Sequence, residues 1–345
     1  MNKRLRTALQ FIIFLSIGFG ILYVIFTRQN ASFQEDCALK GIPPEACSLW
    51  DKLYADFLSV DFFWLGLVLV AFMLSNVSRA LRWLMLIRAL GFRARFGNAF
   101  WTIVLGYFAN LGLPRIGEVV RGAVFARYEN IPVERALGTI VVGRAIDVVC
   151  LLVCLGLTFA LEFDVIYGYF TEHFESSRLV RLIIYAVAFG ILAVLALWIF
   201  RRRVKRFALY QRLSKVITGF LDGIRSVRSV HNIPLFLFHT LSIWVLYYLM
   251  MYLCFQAFGP TEQLSGAAAL LTFVFGSLGI VFPSPGGMGT YHAMIMAALA
   301  LYGLASEDAF SFANILYFSV QLVCIILFGL LALAVLPLIN RSSRA

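Results

Sequence analysis

Apolar residues in this chain fall in long unbroken runs, not in alternation. Six runs reach the roughly 20 residues that a helix needs to cross a bilayer: 8–26, 60–87, 133–161, 179–200, 235–258 and 310–338. Two further segments are apolar but short, and each is broken by Pro and Gly. The first covers 98–114, ends in Asn110-Leu-Gly-Leu-Pro114-Arg-Ile-Gly-Glu118, and resumes over 119–128. The second covers 266–282, ends in Pro283-Ser-Pro-Gly-Gly-Met-Gly289-Thr-Tyr-His292, and resumes over 293–302. Neither half of either segment is a clean span. Each pair is therefore predicted to enter the membrane and return to the same side as a re-entrant hairpin. Beyond residue 200, apolar positions at Tyr210, Leu213, Ile217, Phe220, Ile224 and Val227 recur every three or four residues. This predicts an amphipathic helix over 205–231 lying on the inner leaflet.

The predicted fold class is an all-α polytopic membrane protein, a single transmembrane domain over 1–345 with six full spans and two re-entrant hairpins. Divided near residue 178, each half (1–178 and 179–345) reads as span, span, hairpin, span. The first half starts inside and the second outside. That is an inverted-topology repeat; no residue-level repeat accompanies it.

Composition agrees with lipid as the main solvent. The chain is 61% hydrophobic and 14% charged, against about a quarter charged in soluble domains. The net charge of +11 sits beside apolar runs, where the positive-inside rule and anionic lipids account for it, so nucleic acid is not implied. Arg88, Arg93, Arg95 and the run Arg201-Arg-Arg-Val-Lys-Arg206 mark cytoplasmic ends, which puts both termini in the cytoplasm. Lys3, Arg4 and Arg6 before the first run resemble a signal peptide. The run is long and lacks a small-residue cleavage site, so it is read as a retained helix. Residues 27–57 read as an outer loop with five acids against three bases. Cys37 and Cys47 lie there and make a disulfide plausible in an oxidising compartment.

Breaks at matching places in two halves are the best pointer to a transport site. The glycines Gly286, Gly287 and Gly289 free backbone N–H groups at the start of a half-helix, where phosphate or carboxylate binds well. Ser284 and His292 flank them. At the first break stand Asn110, Arg115, Glu118 and Arg121, the last two on one helix face. Arg144 and Asp147 share a face of the third run, deep enough that they must pair, reach water or face inward. Asn76, Arg79 and Arg82 read as a stripe snorkelling to headgroups. The two breaks are expected to meet near the midplane as one site, with Arg115 and the N–H groups after Gly287 facing a phosphate. No metal motif, nucleophile elbow or Walker loop occurs, so no cofactor and no catalysis are expected.

Asn110-x-x-x-Pro114-Arg115-x-Gly117-Glu118-x-x-Arg121, then Arg144-x-x-Asp147, then Pro285-Gly-Gly-Met-Gly289, in this order, resemble the lysylphosphatidylglycerol synthase transmembrane family, also called flippase-like. The resemblance implies translocation of lipid between leaflets. The synthases carry a soluble aminoacyl-transferase domain, and this chain ends at Ala345 without one, so lipid synthesis is not expected. Members often have an acid after Pro-Gly-Gly-x-Gly, where this chain has His292; a different headgroup follows.

The expected function is an inner-membrane bacterial flippase for a phosphate-bearing lipid, aminoacylated or polyprenyl. The expected partners are that lipid and anionic inner-leaflet lipids at 205–231; a homo-oligomer is left open. Rival readings are an ion-coupled carrier of a small soluble anion and an intramembrane lipid-phosphate transferase or hydrolase.

Overall fold

The computed structural model describes residues 3–43, 47–112, 116–173, 229–281 and 287–341. Among the described residues the chain is helical, without strands. The order is α1 (Lys3–Leu39), α2 (Leu49–Ser59), α3 (Phe62–Ala89), α4 (Phe96–Gly112), α5 (Ile116–Glu129), α6 (Val133–Leu161) and α7 (Phe163–His173). There follow α8 (Ile233–Ala257), a short turn Gly259–Glu262, α9 (Gly266–Val281), α10 (Thr290–Ala300) and α11 (Ser306–Ile339). Four of these, α3, α6, α8 and α11, are long and apolar enough to cross a membrane. The expected span over 179–200 and nearly all of the amphipathic helix 205–231 lie outside the described residues.

Local chemistry sets the helix ends. Asp61 accepts the Phe63 N–H at 2.9 Å to cap α3, and Asn232 accepts the Leu235 N–H at 3.0 Å to cap α8, with proline in its first turn. Between α5 and α6, Asn130 adopts a left-handed φ of 54°. Pro132 then starts α6.

Residues 27–57, expected as a loop, are mostly helix instead. α1 continues to Leu39, and α2 follows after a turn closed by a Cys37–Cys47 disulfide. The reason is packing. Phe26 and Phe33 sit against Leu49, Leu53 and Phe310, so the arm docks on the start of α11. Lys52 bridges Asp56 at 3.0 Å and Asp308 at 2.7 Å.

Helix association in lipid lacks a hydrophobic drive and depends on close packing and interhelical polar bonds. α3 and α8 form the central pair. The Asp61 N–H donates to the Ala257 carbonyl at 3.0 Å, so the start of α3 meets the end of α8 and the two run antiparallel. α4 and α5 pack as one hairpin, α9 and α10 as another. The first helix of each hairpin then crosses to the other half: α4 packs on the end of α11, and α9 on α6. Gly106 and Gly117 bring α4 and α5 so close that a Cβ on Gly117 would lie 1.9 Å from the Gly106 carbonyl oxygen. At the basic end, Asn98 and Asn340 exchange two amide hydrogen bonds (3.0 and 2.7 Å), tying α4 to the end of α11.

Candidate functional site

The cluster with most charge sits where α3, α5 and α6 meet. Asp147 lies 14 residues from each end of the 29-residue α6, about 21 Å at 1.5 Å per residue, and so at mid-depth. Its Oδ2 accepts from Arg79 Nη1 at 3.1 Å and its Oδ1 from Arg82 Nη2 at 2.8 Å. Arg79 and Arg82 are three residues apart on α3, so both reach the same face. They are only 5% and 3% exposed. This corrects the expectation that Asn76, Arg79 and Arg82 snorkel to headgroups. Asn76 is buried as well and bonds to the Phe72 carbonyl. An ionised side chain at the centre of a span costs about 2.5–3.5 kcal/mol on insertion scales, and a bidentate carboxylate shared by two guanidiniums offsets that cost.

Arg144 and Asp147 were expected to pair, reach water or face inward. Their contact is long, 3.8 Å. The main partner of Arg144 is Glu118 on α5. That pair is half exposed, 43% for Arg144 and 36% for Glu118, and it forms the open wall of the cluster. Arg121, one face-step from Glu118, does not pair with it. Its guanidinium stacks on the Trp83 ring, 3.9 Å from the centroid, and the residue is 7% exposed. Trp83 is fixed in turn by its indole N–H, which donates to Thr139 at 2.8 Å. From Arg79 the network runs on to the Tyr247 hydroxyl of α8 at 2.8 Å, and from there to Tyr107 of α4 at 3.5 Å.

A cavity of about 10 Å³ lies among Arg79, Arg82, Trp83, Arg121, Arg144 and Asp147, room for about one water. Gly143 forms part of its wall; a Cβ there would meet only Arg82 Nη2, at 4.0 Å. Three buried guanidinium nitrogens have no partner among the described residues: Arg79 Nε, Arg82 Nη1 and Arg121 Nε. Four guanidiniums face two carboxylates, Asp147 and Glu118, an excess of two positive charges. Arginine holds its proton in proteins, so the excess is permanent. Guanidiniums so placed have the geometry to bind an anion in a bidentate or forked manner.

Of the residues expected at the site, Glu118, Arg121, Arg144 and Asp147 come together. Asn110 stands just behind them and accepts the Gly117 N–H at 2.8 Å, which closes the turn into α5. Arg115, Ser284 and Gly286 lie outside the described residues, as do Pro114 and Pro285, so the expected meeting of the two breaks does too. Gly287 and Gly289 have φ of 79° and 81°. Gly289 presses on α1: a Cβ there would lie 2.6 Å from Ile21. Close approach of helices accounts for that glycine. His292 is buried in a different place, its ring 4.7 Å from Tyr317 and its Nδ1 without a partner. Tyr317 opens an eight-residue π-helical stretch, Tyr317–Cys324, inside α11, a feature enriched at functional sites. Among the described residues no group of three or more His, Cys, Asp or Glu could hold a metal.

Reading of the sequence alone missed Arg79, Arg82, Trp83 and Tyr247. A usable signal was present: Arg79 lies ten residues before the end of α3, about 15 Å by helical rise, too deep for easy snorkelling. Asp147 at mid-depth required a cationic partner, and α3 carries two arginines at nearly that depth.

Comparison with known proteins places these helices in context. Residues 48–338 match the model of the lysylphosphatidylglycerol synthase transmembrane region. The UPF0104 membrane protein MJ1595 of Methanocaldococcus jannaschii is 23% identical over 268 residues, 70% of this chain and 76% of that protein. A UPF0104 membrane protein of Methanothermobacter thermautotrophicus is 30% identical over 106 residues, 30% of this chain and 31% of its own. No solved structure matches. A family match over residues 48–338 covers the central pair, both hairpins and every arginine of the cluster, and the chain belongs to the lysylphosphatidylglycerol synthase transmembrane-region family.

Proposed function

We propose that this protein moves a phosphate-bearing lipid between the leaflets of a bacterial inner membrane, and that the arginine cluster on α3, α5 and α6 binds the headgroup in passage. One observation carries the reading: a cavity at mid-depth lined by four arginines and Asp147, with Glu118 on its rim the one further carboxylate paired to the cluster among the described residues. In hydrocarbon such an excess needs a mobile anion as its counter-charge. The action is translocation, without covalent chemistry.

The exchanged contacts of the hairpins support an inverted repeat. α4 lies on a helix of the second half and α9 on a helix of the first, as a two-fold axis in the membrane plane would arrange. In this reading both hairpins are re-entrant, six helices span, and both termini face the cytoplasm. The disulfide-closed arm then faces the oxidising side.

The test is lipid scrambling in proteoliposomes with a fluorescent phosphate-bearing lipid. Arg121 has no carboxylate partner among the described residues, so Arg121→Met removes one excess charge and keeps apolar cover over Trp83. Translocation is expected to fall at least tenfold while the protein stays folded. Wild-type translocation by Arg121→Met overturns the assignment of the cluster.

A further inference from the structure

The cluster can be asked which phosphate it fits. We infer that its ligand is a phosphomonoester headgroup, bound as the dianion, in preference to a phosphodiester. This rests on the translocation-site reading above and narrows the substrate class within it.

The first argument is charge. Arg79, Arg82, Arg121 and Arg144 surround the cavity, opposed by Asp147 and Glu118. A phosphodiester or a carboxylate carries a single negative charge and leaves one guanidinium unbalanced at mid-depth. A phosphomonoester carries about −1.5 to −2 near neutral pH and cancels the excess. Among the described residues the rest of the lining is uncharged. Trp83, Leu86, Thr139, Ile140 and Gly143 complete the lining.

The second argument is the count of donors. Asp147 already occupies one nitrogen each of Arg79 and Arg82. What remains buried without an acceptor is Arg79 Nε, Arg82 Nη1 and Arg121 Nε, on residues 5%, 3% and 7% exposed. A phosphomonoester offers three terminal oxygens as strong acceptors, whereas a diester has two and carries a second ester substituent. Three unsatisfied donors on three side chains that line one cavity match the monoester.

The third argument concerns the way in. The cavity, about 10 Å³, holds about one water, so a phosphate needs one wall to yield. The wall that can yield is the half-exposed pair Glu118–Arg144, which joins α5 to α6. Parting this pair opens the way in and frees Arg144 for the ligand, while Glu118 stays at the mouth of the cavity and keeps its place in the charge balance. The Asp147 clamp, far more deeply buried than this pair, stays.

The experiment uses the full chain in nanodiscs. Thermal-shift titrations and native mass spectrometry are run with short-chain phosphatidic acid, phosphatidylmethanol of the same chains, and inorganic phosphate. Phosphatidic acid is expected to bind about ten- to hundredfold tighter than phosphatidylmethanol at neutral pH, the range of one extra hydrogen bond to a charged group. The advantage shrinks toward about pH 5, below the second phosphate pKa of about 6, and disappears in Arg121→Met. Equal binding of the two lipids overturns the monoester preference and leaves the phosphate-site reading standing. No binding by any probe overturns both. Inorganic phosphate binding as tightly as phosphatidic acid supports the dianion chemistry and overturns lipid as its source. Preference retained in Arg121→Met overturns the donor assignment.

Discussion

Asp147 spends one carboxylate oxygen on Arg79 and the other on Arg82, so its loss strands two charges. Asp147→Asn is expected to lower stability by about 3–5 kcal/mol, the cost of breaking a buried ion pair from one side. Arg144→Gln should cost far less, because the Glu118–Arg144 pair is half exposed and is not enclosed by the protein as the Asp147 clamp is. Thermal unfolding of purified variants checks both. Adding Arg144→Gln to Asp147→Asn should not restore stability, whereas adding Arg82→Gln should restore part of it. Rescue by Arg144→Gln would mean that the helix-local pair, and not the clamp from α3, holds the charge. Gly143 gives a second residue-level test. A Cβ there meets nothing nearer than 4.0 Å, and alanine favours a helix over glycine by up to about 1 kcal/mol. Gly143→Ala should therefore unfold no sooner than wild type while narrowing the cavity and weakening anion binding. Asp147, Arg144, Glu118 and Arg121 were legible as candidates because a charge in a span demands explanation. Their true partners were not, since spacing along one helix says which residues share a face and nothing of what faces them from another.

At the scale of elements, the hairpin α4–α5 and the arm α1–α2 are held by different physics. Gly117 is wedged against the Gly106 carbonyl, which is backbone and cannot swing aside, and against the Asn110 amide, which accepts the Gly117 N–H. Gly117→Ala should thus separate α4 from α5 and abolish folded protein on size exclusion, in contrast to Gly143→Ala. Near-wild-type behaviour would show that the crossing is looser than the geometry states. The arm docks through apolar contacts and Lys52. Burial draws the Lys52 ammonium down, but hydrogen bonds to Asp308 and Asp56 outweigh it, and its pKa is raised. A raised lysine stabilises fully below its ordinary value and loses that contribution only as pH climbs through the folded value. The stability difference between wild type and Lys52→Met should therefore be flat from about pH 6 to about pH 9 and vanish only above about pH 10.4. A slope within the neutral range would point to another group. Apolar run length foretold α3, α6, α8 and α11 to within four residues at each end, and the Pro-Gly breaks foretold both short pairs. It did not foretell the helical arm, because its apolar residues serve docking on α11 and show no continuous run. The π-helical stretch of α11 left no mark in the sequence either.

For the whole molecule, the two halves answer each other through contacts, not through shared residues. α3 and α8 lie antiparallel at the centre, and each hairpin leans on the opposite half. Hydropathy alone suggested the arrangement; only packing reveals the exchange, since no residue-level repeat records it. The arrangement has a definite sidedness if the basic ends face inward. Lys40, just past α1, and Arg93, just past α3, are both exposed and lie on opposite sides of the membrane in this reading. The native cysteines are either bonded, as Cys37 and Cys47 are, or at least partly buried in helices, so single added thiols can be followed above a low background. Lys40→Cys should react with a membrane-impermeant maleimide in intact cells, and Arg93→Cys only after permeabilisation. Thermal stability should be unaffected, since neither side chain makes an ion pair among the described residues. Labelling of Arg93→Cys in intact cells with Lys40→Cys protected would invert the molecule, put the disulfide arm in the reducing compartment and remove the basis for both termini being cytoplasmic. Labelling of both from outside would place the ends of α1 and α3 on one side. An even number of crossings between residues 40 and 93 would then be required, and the assignment of α3 as a single span would fall.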